Sequence, residues 1–518
     1  MNKPDLFAEP AQQSVATSIS ERLSQEIVIA LVGPVGSGVS TAAEFIKSIL
    51  CNDFDYKVCE IIKPSAIILR EAHRVGITEI PKTPHDQYIT AMQTAGNSLR
   101  EKFGGNYLAE KIVELIYKFR RDNGGYSDGG VPLPGRRAYI IDSVKNPEEL
   151  SLLRKIYGET LCLFGVFAPD HIRKQRLKDA GVPDDAIKKI IDRDQNELAT
   201  FGQKTRKIFT ESDFFICNDK KRDELRVRVL RFVNIVFNTA IHTPTRAESA
   251  MYEAGAAAAN SACMSRQVGA AIVSQSGELV SVGWNDVPRF GGGLYGEDHQ
   301  STWDAESNCI ADADNRCFKW GGNICHNETR RNQIVNKICD KVGASGLLKK
   351  GKTGADVSGL LRGATDIDAL IEFSRSIHAE MEAILSVARE GRHSLVGATL
   401  YTNTYPCHNC ARHIVASGIT SVVYIEPYQK SLAIALHNDA ITEDPESKTK
   451  VVFRQYDGVA PRHYLRLFRP TGDRKKDGRL IQQSPKAAVP IFRVPLDAPT
   501  EYEVKVIADL ADKEQTPL

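Results

Sequence analysis

Four residues in two short motifs have the types and spacing of a metal-assisted active site. His378 and Glu380 form an H-x-E motif, and Cys407 and Cys410 follow in a P-C-x-x-C motif. One imidazole and two thiolates are zinc ligands that leave the fourth tetrahedral position open, as in catalytic zinc sites. Water at that position is acidified, and Glu380 is placed to move its proton. The motifs therefore predict zinc-assisted hydrolysis.

Two predicted helices must bring these side chains together. One helix is expected over residues 379–388, directly after His378, and another over 407–416, with a strand at 399–402 between them. Helix N-termini favour negatively charged groups, so they stabilise thiolates. The alternatives are a closed structural zinc site or a chance C-x-x-C. His408 lies inside the second motif and is interpreted as an outward-facing neighbour rather than a ligand.

Both motifs, in this order, resemble those of the cytidine/deoxycytidylate deaminase superfamily. The resemblance implies that His378, Cys407 and Cys410 bind zinc. It also implies that Glu380 is the catalytic proton carrier. The expected reaction attacks C4 of cytosine with water and releases the amino group as ammonia.

Two further segments resemble deoxycytidylate deaminases in particular, namely residues 266–273 (RQVGAAIV) and 282–289 (VGWNDVPR). This resemblance implies that Asn285 binds the sugar hydroxyl and that Tyr428, after a predicted strand at 421–425, also contacts substrate. An amide suits a hydroxyl because it can both donate and accept. The alternative for Asn285 is a turn residue after a strand. The preference between dCMP and dCTP stays open.

A long polar, glycine-containing insertion is expected near residues 286–376. It contains Cys309, Cys317, Cys325 and His326, which could form a second, structural zinc site. Their spacing fits no standard zinc finger, so buried free thiols are the alternative.

A glycine-rich loop follows the first predicted strand, residues 27–32. Residues 33–40 read G-x-x-x-x-G-V-S, the frame of a P-loop with Val39 in place of the lysine. Main-chain N–H groups of such a loop can still bind phosphate, and a hydroxyl can still meet Mg²⁺. The missing ammonium weakens phosphoryl transfer unless another cation compensates. The predicted nucleotide-binding residues are Gly33, Gly36, Gly38, Ser40, Thr41 and Asp142.

The N-terminal half resembles P-loop nucleotide kinases, in which arginines grip phosphate; Arg173, Arg176 and Arg193 are the corresponding residues. Solvent-exposed helical arginines are the alternative. Strands expected at 138–141, 161–167 and 214–217 alternate with helices, which predicts a parallel sheet. The half is expected to bind a nucleotide or to be purely structural, with little or no kinase activity.

We therefore predict an α/β protein with three parts. Residues 1–24 are a flexible lead-in, 25–240 form a P-loop kinase-like three-layer domain, and 241–518 form a cytidine-deaminase-like α/β/α domain. The basic C-terminal stretch 462–479 is a solvated face or a grip for phosphate, RNA or an acidic partner.

Composition restricts the remaining possibilities. The formal net charge is +2, without the basicity of a duplex-binding protein. No run of apolar residues is long enough for a membrane helix, and eleven cysteines with one close C-x-x-C pair suit a reducing compartment. We expect a cytoplasmic protein without membrane contact.

The two-part organisation resembles bacterial fusion proteins assigned to phage defence. That resemblance implies depletion of deoxycytidine nucleotides during infection and inhibition by a small RNA in uninfected cells. The resemblance to deoxycytidylate deaminases also implies a homo-oligomer, commonly a hexamer, that responds to nucleotide effectors. Two rival functions stay open: deamination of tRNA or single-stranded DNA, and a nucleotide-gated regulatory protein in which deamination is secondary.

Overall fold

The computed structural model describes residues 22–196, 201–219, 222–298, 302–306, 308–311, 314–364, 366–427, 431–470 and 472–515. The chain divides into two compact units. The first comprises Met1–Thr243 and Leu465–Leu518, and the second comprises Pro244–Tyr464. Each is described by itself.

The first unit is built on a parallel sheet. All six residues of its first strand, IVIALV, are buried. Successive side chains of a strand point to opposite faces, so both faces of this sheet are covered. The strands lie in the order β5, β4, β1, β3, β2, and every neighbouring pair is parallel. They are β1 (Ile27–Val32), β2 (Val58–Ile62), β3 (Arg137–Asp142), β4 (Leu161–Phe167) and β5 (Phe214–Cys217).

Helices connect these strands, as the alternating pattern predicts. The helix after β1 begins at Val39, directly behind the glycine loop. The helices of this unit up to residue 243 are α1 (Val39–Asn52), α2 (Pro64–Glu71), α3 (His85–Phe103), α4 (Tyr107–Asp122), α5 (Pro147–Tyr157), α6 (Asp170–Asp179), α7 (Asp184–Asn196), α8 (Thr205–Phe209) and α9 (Arg222–Phe237).

The second unit has a mixed sheet in the order β12, β13, β11, β10, β6, β7. Neighbours from β12 to β10 are parallel, whereas β6 is antiparallel to both β10 and β7. The strands of this unit are β6 (Gly269–Val273), β7 (Leu279–Trp284), β8 (Thr302–Asp304), β9 (Cys309–Ala311), β10 (Thr399–Thr404), β11 (Ser421–Glu426), β12 (Ile441–Thr442), β13 (Val451–Gln455) and β14 (Gly458–Val459).

The helices of the second unit include two in the expected insertion. They are α10 (Arg246–Ala258), α11 (His326–Ala344), α12 (Gly354–Ala364), α13 (Ala379–Glu390), α14 (His408–Ala416) and α15 (Ala433–Leu436); α16 (Tyr464–Phe468) begins at its last residue. The insertion thus contains the antiparallel pair β8–β9 and helices α11 and α12.

Two glycines allow helices to pack directly on the sheet of the second unit. A Cβ at Gly269 would lie 2.0 Å from Ala254 O of α10, and one at Gly283 would lie 2.4 Å from Ala379 O of α13. Gly269 pairs with Trp284, and Ala270 with Gly283, so the two glycines point to opposite faces. Helices α10 and α13 therefore cover opposite faces, which gives the predicted α/β/α layering.

The structure corrects the predicted boundaries at both ends. Main-chain pairing joins Leu23 to Pro495, and Ser24 N–H donates to Val494 O at 2.8 Å, so residues 22–24 are not a flexible lead-in. The chain from Leu465 belongs to the first unit rather than to the second. This segment contains the short strands β15 (Lys475–Lys476) and β16 (Arg479–Leu480), followed by the last helix, α17 (Asp497–Gln515). Helix α17 packs on α4.

Buried ion pairs fix α17 on the first unit. Arg120 of α4 lies between Glu503 of α17 and Glu26, and all three side chains are buried. Tyr107 donates to Glu514 at 2.8 Å. The contact face of α17 therefore combines these charged groups with buried uncharged residues such as Leu510.

The predicted α/β fold class is confirmed in both units. Within the described ranges, no helix combines the length and apolarity that crossing a membrane requires.

Candidate metal centre

The side chains of the two sequence motifs converge on one point in the second unit. The ligand atoms of His378, Cys407 and Cys410 all lie within 4.8 Å of one another. His378 Nδ1 is 3.2 Å from Cys410 Sγ and 3.3 Å from Cys407 Sγ. Both sulfurs are buried in the apolar core of the unit.

Two helix N-termini place these ligands. His378 is the N-cap of α13 and Cys407 is the N-cap of α14. Strand β10 lies between the two helices in the chain. Just after this strand, Tyr405 N–H donates to Glu426 O at the end of β11 at 2.8 Å, which fixes the chain that leads to Cys407. Partial positive charge at both N-termini therefore lies beside the sulfurs.

The electrostatics favour a thiolate at Cys407. Interaction with the Cys410 side chain, together with His378, lowers the pKa of Cys407 to about 4 despite burial. Burial alone would lower the pKa of His378, but the hydrogen bond with Cys407 and the charges of Cys407 and Glu380 together outweigh it and raise that pKa to about 9. A sulfur that loses its proton easily is a good metal ligand.

Glu380 lies beside the cluster without being one of its three ligands. Its carboxyl is 4% exposed, and its Oε2 accepts from Cys410 S–H at 3.4 Å. Burial, with the nearby charge of Cys407, raises its pKa. A buried carboxyl with a raised pKa can hold and release a proton near neutral pH.

The donor set fits zinc. Zinc ligands lie about 2.0–2.3 Å from the ion, so tetrahedral partners are separated by about 3.3–3.8 Å. The sulfur–nitrogen distances of 3.2 and 3.3 Å are close to that range. Among the described residues, no other group of three or more His, Cys, Asp or Glu side chains converges in this way.

The amide of Asn285 is bonded to main chain, and the residue lines a cavity. Its Nδ2 donates to Arg266 O at 2.9 Å, and its Oδ1 accepts from Val268 N–H at 2.7 Å. The amide thus links β7 to the chain before β6, and its contact with a sugar hydroxyl stays a prediction. One donor hydrogen and one lone pair are left for a sugar hydroxyl. Tyr428 lies outside the described residues.

The predicted second zinc residues lie around one cavity. Cys317, Cys325 and His326 line it together with Cys263, which the sequence interpretation missed because it lies 54 residues before Cys317. Their ligand atoms do not converge to metal-binding distances. The side chain of Cys309 lies outside the described part of the chain, so the four-residue zinc site stays a prediction.

The glycine loop has the predicted position between β1 and α1. Gly36 and Gly38 have φ values of 80° and 86°, which glycine adopts most readily. Ser40 and Thr41 lie in the first turn of α1, and Asp142 pairs with Leu31 just before the loop.

The predicted phosphate-gripping arginines bind the loop itself or lie away from it. Arg173 Nε donates to Val35 O at 3.0 Å, and Arg176 Nη1 donates to Gly36 O at 3.1 Å. Arg193 instead donates to Thr94 Oγ1 at 3.1 Å on α3. Sequence reasoning missed Lys145, whose Nζ donates to Gly33 O at 2.8 Å, because no spacing rule connects it to the loop.

Comparisons with known proteins agree with the geometry of the second unit. Residues 244–426 match a family model described as the cytidine and deoxycytidylate deaminase zinc-binding region. A deoxycytidylate deaminase of Enterobacteria phage T2 is 51% identical over 55 residues, which cover 11% of this chain and 29% of the phage protein. The chain thus spans less than a third of that relative's length.

Two other similarities are broader and weaker. A UPF0200 protein of Thermococcus onnurineus is 25% identical over 212 residues, covering 40% of this chain and 96% of that protein. The crystal structure of the apo dCMP deaminase from cyanophage S-TIM5 is 16% identical, with a TM-score of 0.22, and covers 42% of this chain and 100% of its own.

Proposed function

We propose that the second unit is a zinc-dependent deaminase that converts free deoxycytidine nucleotides to deoxyuridine nucleotides. The convergence of His378, Cys407 and Cys410 beside the buried carboxyl of Glu380 carries this proposal. The match to the deaminase zinc-binding region and the 51% identity to a phage deoxycytidylate deaminase support the substrate class.

The chain's own residues divide the chemistry between them. His378, Cys407 and Cys410 would hold zinc, which when bound would supply an acidified water as the nucleophile at neutral pH. Glu380 takes a proton as water adds to C4 of cytosine, and passes it to N3. It then carries the proton of the new C4 hydroxyl to the amino group, which leaves as ammonia while the C4 carbonyl forms.

Burial prepares Glu380 for this exchange. The carboxyl is 4% exposed and burial raises its pKa, which favours the protonated form that the second proton transfer needs. A glutamine keeps the shape but cannot carry a proton, so Glu380→Gln should lower kcat about 100-fold or more.

Release of ammonia from the purified full-length protein tests this function. The panel is dCMP, dCTP, CMP and a short cytosine-containing oligodeoxynucleotide. The proposal predicts release from dCMP or dCTP exceeding that from the oligonucleotide. The Glu380→Gln variant should be inactive, whereas Glu390→Gln, an exposed position on the same helix, should match the wild type.

Each adverse result identifies a different error. Faster deamination of the oligonucleotide would favour a polynucleotide deaminase. Absence of release from every substrate by zinc-loaded protein would contradict the proposal and favour the regulatory alternative. Oligomerisation, nucleotide effectors, the inhibitory RNA and phage defence stay predictions from sequence resemblance.

A further inference from the structure

The glycine loop of the first unit carries several groups that attract an anion. Gly38 caps the N-terminus of the 14-residue helix α1 without a side-chain hydrogen bond. Val39, where P-loops have lysine, contributes no charge. Helix N-termini with such loops bind phosphate through main-chain N–H groups. Cations from other parts of the unit lie near the loop where the lysine is missing.

Lys145 provides an ammonium from the segment that follows the neighbouring strand β3. Leu31 of β1 pairs with Asp142 of β3, so the chains leaving these two strands run side by side. Lys145 lies three residues after Asp142, and its Nζ donates to Gly33 O at 2.8 Å. The charge therefore reaches the start of the loop from outside the P-loop motif.

Arg173 provides a second cation. It is 3% exposed; its Nε donates to Val35 O at 3.0 Å, and its Nη1 pairs with Asp170 Oδ1 at 2.8 Å. Its Nη2 is buried without a hydrogen-bond partner, and the hydroxyl of Ser37, within the loop, is also buried and unpartnered. Unsatisfied buried donors are costly, so they point to a missing acceptor.

Asp194 of α7 places a carboxylate among these groups. Its Oδ2 accepts from Val35 N–H at 2.8 Å and its Oδ1 accepts from Lys145 Nζ at 2.8 Å. Asp194 is 2% exposed; burial lowers the pKa of Arg173, and the charges of Asp170 and Asp194 oppose that effect. A main-chain N–H of the loop and an ammonium thus bind one internal anion.

We propose that Asp194 occupies an anion site that a nucleotide phosphate takes by displacing it, and that Lys145 supplies the charge absent at Val39. A phosphate oxygen would replace the carboxylate on Val35 N–H and Lys145. It would also satisfy Arg173 Nη2 and the Ser37 hydroxyl. The chain therefore limits its own affinity for phosphate.

Calorimetric titration of the full-length protein with ATP, ADP and inorganic phosphate tests this inference. Asp194→Asn removes the competing charge, so it should bind ATP about tenfold or more tightly than the wild type. Adding Lys145→Met to that variant should abolish the gain. Asp192→Asn and Lys189→Met change exposed residues of the same helix and should leave binding unchanged.

The ligands separate the sources of phosphate. Tighter binding of ATP or ADP supports the nucleotide form, whereas a gain confined to inorganic phosphate would overturn it. Equal affinities of wild type and Asp194→Asn, or a gain that persists in Lys145→Met, would also overturn it. If phosphate displaces the Asp194 carboxylate, the protein must stay folded when that carboxylate no longer contacts Val35 and Lys145. Failure of both Asp194→Asn and Asp194→Ser to fold would therefore count against the inference.

Discussion

Gly283→Ala should displace α13 and so impair zinc binding and catalysis by more than its loss of fold stability explains. A Cβ at residue 283 would lie 2.4 Å from Ala379 O and 2.5 Å from Ala383 N, whereas ordinary contacts are 3.4 Å or more. Both atoms are main chain of α13, so the helix must move by about 1 Å. That helix begins at the ligand His378 and carries Glu380 in its first turn.

The expected cost follows from this displacement. Overpacking of a close helix–strand contact costs about 1–3 kcal/mol, and about 1 kcal/mol lowers the Tm of a unit of this size by about 2–4 °C. Misplacement of catalytic groups by about 1 Å costs about 100-fold in rate. We expect a fall in Tm of about 2–12 °C, weaker zinc retention and about 100-fold lower kcat.

Gly269→Ala is the matched control. Its Cβ would lie 2.0 Å from Ala254 O and 2.5 Å from Ala258 N, main-chain atoms of α10 on the opposite face. That helix carries no zinc ligand, so this variant should lose similar stability but keep more zinc and activity. Thermal denaturation, metal analysis and ammonia release are the assays. Equal losses of zinc and kcat in the two variants would refute the assignment of α13 as the positioning element.

Three further predictions concern the metal and the C-terminal helix. Cys410→Ser should lose zinc and activity, whereas Cys339→Ser should keep both by metal analysis, because Cys339 lies outside the cluster. Arg120→Met leaves the buried carboxylate of Glu503 without its cation, although Glu26 keeps Arg137, and should destabilise by about 3–5 kcal/mol in urea, whereas exposed Arg121→Met should not; equal unfolding curves would contradict this. A hydrogen bond from Arg22 lowers the pKa of Asp497 below its ordinary value of 3.8. The Arg22–Asp497 pair therefore contributes to folding stability above about pH 4, and this contribution is lost as the pH falls through the lowered pKa. Asp497→Asn should flatten acid unfolding in that window; an unchanged profile would show that the pair adds no stability.

Local patterns were sufficient to predict the elements that form the metal centre. The two motifs lie at the N-termini of helices that apolar spacing predicts, with His378 and Cys407 as the N-caps. The match of α13 and α14 to the predicted helices follows from this local information.

Partners distant in sequence explain what could not be predicted. The packed face of α17 carries Glu503 and Glu514, whose partners Arg120 and Tyr107 lie about 400 residues earlier. Apolar spacing within a segment does not say which unit the segment packs against, so sequence assigned this one to the wrong unit. Asn285 likewise bonds main chain that only the folded sheet brings near it.

Isotope labelling of the product tests the central claim most directly. Zinc-loaded protein is incubated with dCMP and, separately, with dCTP in ¹⁸O-water; the mass of the nucleotide product is measured by mass spectrometry, and the released ammonia is quantified. We expect a deoxyuridine nucleotide with one ¹⁸O in its base from at least one substrate, one ammonia for each product molecule, and neither product from Glu380→Gln. If both substrates stay unchanged, or if Glu380→Gln turns over equally fast, the assignment of this site as a hydrolytic deaminase centre is contradicted.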